Sequence, residues 1–365
     1  MSLYHRQLFT VCMICVSTLT ALADEKPGAP TPEQKKAVEQ AIEKLGGRLF
    51  EDNGAFFELR KLPTLAVPPN CTDADLKKLP EVPFAFGLRC EFTKITDAGM
   101  TELKKLKNLQ VVELRQLPIT DAGIKELSES ESLEGINLSG TRIGDAGLKH
   151  LKGMKRLKEL DLSRTRITHQ GLAALGDLPG LTALVLCPNP GDEPFGNDDM
   201  KHFKGLTNLI RLDLWDSKVS ANGLAELKDL KKLELLNLLN DREIDDESLK
   251  QIKQFKSLKR LFLNSSKVTD AGAKELKELT GLEVLQITYA HLTNAGLKEL
   301  KTLTKLSDLD LGLTNITDDA ISDLKEFKNL AKLSVFGTQV TPDGADKLRK
   351  AMPKCTVHYL ATDFR

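Results

Sequence analysis

A chain of 365 residues with 41% hydrophobic side chains can bury a large core, and with 5% aromatics that core must be aliphatic. Lysine plus arginine and aspartate plus glutamate number 52 each, so the formal charge is zero, and no basic run breaks the balance. A nucleic-acid partner, which calls for a basic footprint, is disfavoured on both counts.

The first element is an export signal over residues 1–23. His5 and Arg6 supply a weakly basic start, "LFTVCMICVSTLTAL" an apolar stretch of the right length, and Ala21-Leu22-Ala23 a cleavage site before Asp24. The stretch is too short and threonine-rich to span a bilayer comfortably, and no later segment could do so. The mature protein is therefore expected outside the cytoplasm, secreted or in the periplasm or cell envelope. Residues 24–31 form a polar, proline-rich linker. Residues 32–70 hold a capping helix and a first strand region. Thr31 caps the helix, Pro32 suits its first turn, and Gly46-Gly47 ends it. Val38, Ala41, Ile42 and Leu45 belong to its apolar stripe, which covers the first turn of a repeat array that begins at Cys71.

From 71 to 351 the chain repeats. Equivalent positions fall at Cys71, Ile95, Ile119, Ile143, Ile167, Phe195, Val219, Ile244, Val268, Leu292, Ile316 and Val340. Nine of the eleven intervals are 24 residues; the others are 28, from Ile167 to Phe195, and 25, from Val219 to Ile244. Each unit carries L-x-x-L-x-L, as at Leu157-Leu160-Leu162 and Leu306-Leu309-Leu311, and then a helical stripe such as Leu148, Leu151 and Met154. Residues 352–365 replace the next leucine strand with a modified, more polar one that closes the array.

The run "LKELDLSRTRITHQGLAAL" resembles L-x-x-L-x-L-x-x-(C/N/T)-x-I-T-D-x-G-L, the leucine-rich repeat variant of F-box substrate receptors and of many exported bacterial proteins. The resemblance implies an α/β fold, a right-handed leucine-rich repeat solenoid with a parallel sheet on its concave face and helices on its convex face. It covers residues 55–365. It implies no single function, because the scaffold serves many partners. In the recurring ITDAG, the aspartate is expected to cap its helix or complement the helix dipole, and the glycine to let helices approach closely. Thr141, Thr165, Ser217, Ser266, Thr314 and Thr338 fill the small polar slot after the strand, where a side chain can bond leftover backbone groups.

Counting from each ITDAG identifies the side chains that point away from the core. The column between the last two leucines runs Glu113, Asn137, Asp161, Val185, Asp213, Asn237, Phe262, Gln286, Asp310, Ser334. The second half of the face gathers Trp215, Leu239, Phe262, Tyr289, Leu313 and Phe336, with Arg211, Asp213 and Asp310 as a polar rim. Trp215 is the only tryptophan. Such a cluster on a sheet face predicts a binding site for a protein or peptide.

The remaining signals are weaker. The 28-residue interval inserts "CPNPGDEPFGNDD", an acidic loop without EF-hand spacing, expected to be plainly solvated. His150, His169, His202, His291 and His358 are scattered surface residues, and no H-E-x-x-H, G-x-S-x-G or phosphate loop occurs. No catalytic residue, metal site or cofactor is therefore expected. Cys71 and Cys90 take inward slots in adjacent turns, as buried thiols or as a disulfide, and Cys187 lies on the concave face. Rival readings are a ubiquitin-ligase substrate adaptor, which lacks its F-box module here, a cell-envelope structural protein without a discrete ligand, and a hydrolase.

Overall fold

The computed structural model describes residues 29–52, 61–264 and 267–359. The export signal, most of the linker and Ser266 lie outside the described residues. Among the described residues, fourteen strands form one sheet in chain order, from β1 (Arg48–Asp52) to β14 (Thr356–His358). β1 runs antiparallel to β2 (Leu62–Ala66), and every later pair is parallel. A short helix or 3₁₀ turn follows each repeat start from Cys71 onward, so strands stack on one side and helices on the other.

Alternation within L-x-L makes this sheet one-sided. Leu160 and Leu162, Leu212 and Leu214, and Leu309 and Leu311 all turn inward and are buried, together with the helical stripes Leu148, Leu151, Met154 and Leu297, Leu300, Leu303. The core is one continuous aliphatic layer between sheet and helices. Lysines on the helical side pair with acids one repeat on, as Lys104 does with Glu126 and Glu129 at 2.8 Å each. Such exposed pairs contribute little each, but they account for the balanced charge. In the small polar slot, the hydroxyls of Thr141, Thr165, Thr314 and Thr338 donate to the carbonyl three residues back at 2.6–2.7 Å.

The ITDAG aspartate lies in the first turn of its helix, as expected, but it is not the cap. The threonine, not the aspartate, caps the helix: Thr96 Oγ1 accepts from the Ala98 N–H, and Thr293 Oγ1 from the Ala295 N–H. The aspartate reaches forward to the next repeat. Asp97 accepts the Thr120 N–H and hydroxyl, Asp246 those of Thr269, Asp270 those of Thr293, and Asp318 those of Thr341. That carboxylate then fills the space where the next glycine would carry a side chain. A Cβ on Gly123 would lie 2.3 Å from Asp97 Oδ1, and one on Gly296 2.3 Å from Asp270 Oδ1.

The exceptions obey the same rule. The first repeat has no aspartate before it, and its glycine position holds Asp75, which folds back to accept the Thr72 N–H and hydroxyl. Where His169 and Ala221 replace the aspartate, the following glycine positions hold Asp199 and Ser248. Asp199 accepts the Gly196 N–H at 2.7 Å and Ser248 the Asp245 N–H at 3.3 Å. Ala320 follows Asn294, whose amide oxygen stands 3.1 Å from the Thr317 nitrogen. The acceptor is supplied from behind or from within. Asn197 stands for the aspartate and keeps its glycine: its Oδ1 accepts the Ser220 N–H at 2.8 Å, and a Cβ on Gly223 would lie 2.7 Å from it.

At the N-terminal end, Pro32–Glu43 is a helix with a reciprocal cap, Thr31 accepting the Gln34 N–H and Gln34 accepting that of Thr31. Val38 and Ile42 enter the core. The β1–β2 hairpin beside it has no counterpart in the sequence reading, which placed one strand region there.

Candidate functional site

Each strand of a repeat offers alternate side chains to the face opposite the helices, and the parallel register lines them up. Asn137 pairs with Asp161, Asp161 with Val185, Val185 with Asp213, Asp213 with Asn237, Asn237 with Phe262, Phe262 with Gln286, and Gln286 with Asp310. The columns counted from ITDAG are therefore in register on this open face. Neighbouring parallel strands lie about 4.8 Å apart, so side chains in one column cover each other. That corrects part of the expected surface: Phe262 is 9% exposed and Asp213 6%. Both belong to the floor of the face. Arg211 turns onto Asp213, Nη2 to Oδ2 3.5 Å, where it had been expected on a solvent rim.

Just beyond most of the repeat strands the chain turns sharply through a residue with positive φ: Phe92 (61°), Gln116 (60°), Arg164 (54°), Asp216 (60°), Asn240 (62°), Tyr289 (56°) and Leu313 (57°), with glycine at Gly140 and Gly337. The corner N–H continues the ladder, Tyr289 to the Gly312 carbonyl at 3.1 Å and Leu313 to that of Phe336 at 2.7 Å. Glycine, asparagine and aspartate suit this left-handed geometry, whereas Phe, Tyr, Leu and Arg adopt it at a cost. Tyr289 and Leu313, counted as outward residues, thus sit on these corners at the edge of the face.

The predicted residues form two groups. Trp215, Leu239 and Phe262 stand on successive repeats, from β8 (Arg211–Asp213) to β10 (Arg260–Asn264). Trp215 and Leu239 are half-buried, and the Arg164 guanidinium lies over the indole, Cζ 5.5 Å from the ring centroid. Tyr289, Asp310, Leu313 and Phe336 gather farther along, at β11 (Val284–Thr288), β12 (Asp308–Asp310) and β13 (Lys332–Ser334). Tyr289 is 41% exposed, while Asp310, Leu313 and Phe336 are half-buried. Leu313 leans over Gly337, where an added Cβ would lie 2.5 Å from Leu313 Cδ2.

The column aspartates of this face are poorly solvated. Burial raises the carboxyls of Asp213, Asp308 and Asp310 above their usual range, and pushes Asp161 up to about 6. Column aspartates and asparagines fix the strand end by accepting the N–H two residues on: Asp161 from Ser163, Asp310 from Gly312, Asn137 from Ser139 and Asn237 from Leu239.

Several features escaped the sequence reading. Phe92, 72% exposed, occupies a corner position that the repeat count could have flagged. Phe50 on β1 lies beneath the guanidinium groups of Arg48 and Arg89, at 5.5 and 5.0 Å. Asp241, buried in the 25-residue interval, accepts the Ser217 hydroxyl (2.8 Å) and the Val219 (2.6 Å) and Glu243 (2.9 Å) N–H groups, and burial raises it to about 6. His169 Nδ1 lies 2.8 Å from Asp199 and its ring meets Phe195 edge-on at 5.6 Å, so this histidine is tied into the solenoid. The inserted loop is anchored in part by Asn189, whose amide donates to the Thr165 carbonyl at 2.7 Å.

Cys71, Cys90, Cys187 and Cys355 are free, buried thiols. Burial pushes Cys71 up to about 11 and Cys187 up to about 12, far from the thiolate a nucleophile needs. Among the described residues no group of three His, Cys, Asp or Glu could hold a metal ion, and no helix is long and apolar enough to cross a membrane.

A family profile described as a leucine rich repeat matches residues 131–190. No curated protein sequence matches the chain. Among solved structures, an internalin of Listeria monocytogenes is similar with a TM-score of 0.57 and 19% identity, over 75% of this chain and 73% of that one. A leucine-rich repeat protein of Leptospira interrogans gives 0.42 and 18%, over 77% and 91%. The Arabidopsis receptor kinase HAESA, solved with the peptide hormone IDA and the co-receptor SERK1, gives 0.48 and 16%, over 71% of this chain and 43% of that one. The single sheet, its unbroken chain order and the likeness to the internalin together make this fold a leucine-rich repeat solenoid.

Proposed function

We propose that this chain is a non-catalytic scaffold that acts outside the cytoplasm and holds a protein or peptide on the open face of its sheet. The export signal read from residues 1–23 supports the location, and so does the likeness of its ITDAG repeats to those of exported bacterial proteins. One observation carries the binding site. Tyr289 and Leu313 occupy left-handed corners that the fold fills more comfortably with Gly, Asn or Asp, and Tyr289 remains exposed there. Neither residue is needed to complete the repeat, so the chain bears backbone strain in order to present apolar side chains. Together with Trp215, Leu239 and Phe336 they make the contact surface. Phe262 and Asp213 support it from below, and Arg211 and Asp310 supply its polar groups.

The test is capture of partners from the producing cell's envelope by the wild-type protein and by Trp215→Ala and Tyr289→Ala. Each variant is expected to lose about 2 kcal/mol of affinity for the captured partner while melting as the wild type does. Equal capture by all three would sink this reading and favour another face or a purely structural role.

A further inference from the structure

Among the described residues the exposed large hydrophobic side chains are Phe92, at 72%, and Tyr289, at 41%. Both hold the same structural position, a left-handed corner just beyond a strand: Phe92 (φ 61°) after β3 (Phe86–Arg89) and Tyr289 (φ 56°) after β11. Other corner residues have local uses. The Arg164 guanidinium covers the Trp215 ring, Leu313 leans over Gly337, and Gln116 packs at Gly140, where an added Cβ would lie 3.1 Å from Gln116 Cγ. Asp216 and Asn240 suit left-handed backbone in their own right. A single exposed phenylalanine is ordinary. Phe92, however, bears the cost of a left-handed corner and gains no burial in return.

The two corners belong to one row. Parallel ladders carry it from β3 to β11, through Gln116, Gly140, Arg164, Asp216 and Asn240. Eight strand spacings separate the ends. At about 4.8 Å each, they amount to about 38 Å along the sheet. The named residues between are polar or glycine, so apolar contact is offered at the two ends. That distribution suits an elongated partner better than a compact apolar one. An extended polypeptide rises about 3.3 Å per residue, so about 12 residues cover the interval.

We propose that one extended polypeptide segment of the partner lies along this row of corners, with an apolar side chain on Phe92 at one end and another on Tyr289 at the other. This rests on the reading of the open face as the partner surface. It adds Phe92, near the opposite end of the array, and a minimum length for what is bound.

The test is selection on the whole chain from two displayed libraries of random peptides, one of about 16 residues and one of about 6, since only the longer can span the row. The affinity of a synthesised long winner is then measured for wild type, Phe92→Asn, Tyr289→Asn and the double variant. Asparagine already occupies the Asn240 corner, so neither substitution should lower the melting temperature. Each single variant should lose about tenfold in affinity, and the double variant about a hundredfold. Trimming the winner from one end should remove its dependence on Phe92, and from the other its dependence on Tyr289. Short winners should depend on one corner at most. Long winners that need Tyr289 but not Phe92 would overturn the spanning segment and leave the open-face reading standing. A Phe92→Asn variant that melts below wild type would show that the ring supports the fold, and would sink the inference too. Long winners that need Phe92 alone or neither corner, or failure to select any peptide, would count against both readings.

Discussion

Asp161 stands on the open face with its carboxylate buried and Asp213 nearby, and burial is the main cause of its raised ionisation range, to about 6. A carboxyl whose folded-state value is raised contributes its full stability below the unfolded value near pH 4, and that contribution is lost as pH rises through 6. Accepting the Ser163 N–H at 2.7 Å needs an oxygen but no charge. Asn137 and Asn237 perform the same duty from equivalent positions on other strands. Asp161→Asn should therefore stabilise the protein by roughly 2 kcal/mol at pH 8 in urea unfolding, with the gain vanishing near pH 4. A variant no more stable than wild type at pH 8 would mean that the charge is compensated in place. The same attention to single groups explains the recurrent glycine. At Gly296 the backbone is helical and open to any residue, and a Cβ would instead meet the carboxylate of Asp270 from the repeat before at 2.3 Å and Leu292 Cδ1 at 2.4 Å.

At the scale of elements, the N-terminal helix and the β1–β2 hairpin cover the end of the stack, where the first repeat would otherwise present its core to water. Ile42 is fully buried, and a Cβ on neighbouring Gly47 would stand 2.8 Å from Ile42 Cγ1, so the helix is seated tightly. In a solenoid each unit depends on its neighbours, so damage at one end should stay local. Ile42→Ala should cost about 3 kcal/mol locally. Amides of β2 and of β3 (Phe86–Arg89) should then exchange faster, while those of β10 to β12 keep their protection. Uniform acceleration along the sheet would show that the chain unfolds as one unit. The helix was legible beforehand because Thr31, Pro32 and Gly46 carry local signals, and the repeated strands were legible because a period of 24 residues multiplies weak signals. The hairpin was not, since "RLFED" and "LPTLA" occur once and carry no period. On the face, the columns followed from counting, but which members reach solvent depends on side-chain cover between strands. Hence Phe262 and Asp213 were placed on the right face and at the wrong depth.

At the scale of the molecule, the ITDAG aspartates form a ladder that ties each repeat to the next, and it departs from pattern around the 28-residue interval. There His169 stands in for the aspartate and Asp199 for the glycine, and the pair is joined in the opposite sense, His169 Nδ1 to the Asp199 carboxylate at 2.8 Å. The next rung is intact, Asn197 Oδ1 accepting the Ser220 N–H at 2.8 Å, and the one after it lacks its tie at Ala221, where Asp241 links the neighbouring repeats through Ser217 and Val219 instead. The exchange at 169 and 199 is one substitution in two parts, and the rung from Asp121 shows what the ordinary form would be. In that rung Gly144 fills the threonine position, as Gly196 does, its N–H donates to Asp121 Oδ1 at 2.7 Å, and Gly147 leaves room for the carboxylate. His169→Asp alone would press a second carboxylate against Asp199. Asp199→Gly alone would remove the acceptor of the Gly196 N–H and the partner of His169. Each single change should cost about 1–2 kcal/mol at pH 7. The double change should rebuild the Asp121 type of rung and return to within about 0.5 kcal/mol of wild type, a favourable coupling of at least about 1 kcal/mol. Additive losses in the double variant would mean that the two positions act independently, and that the ladder rule fails where the repeat length changes.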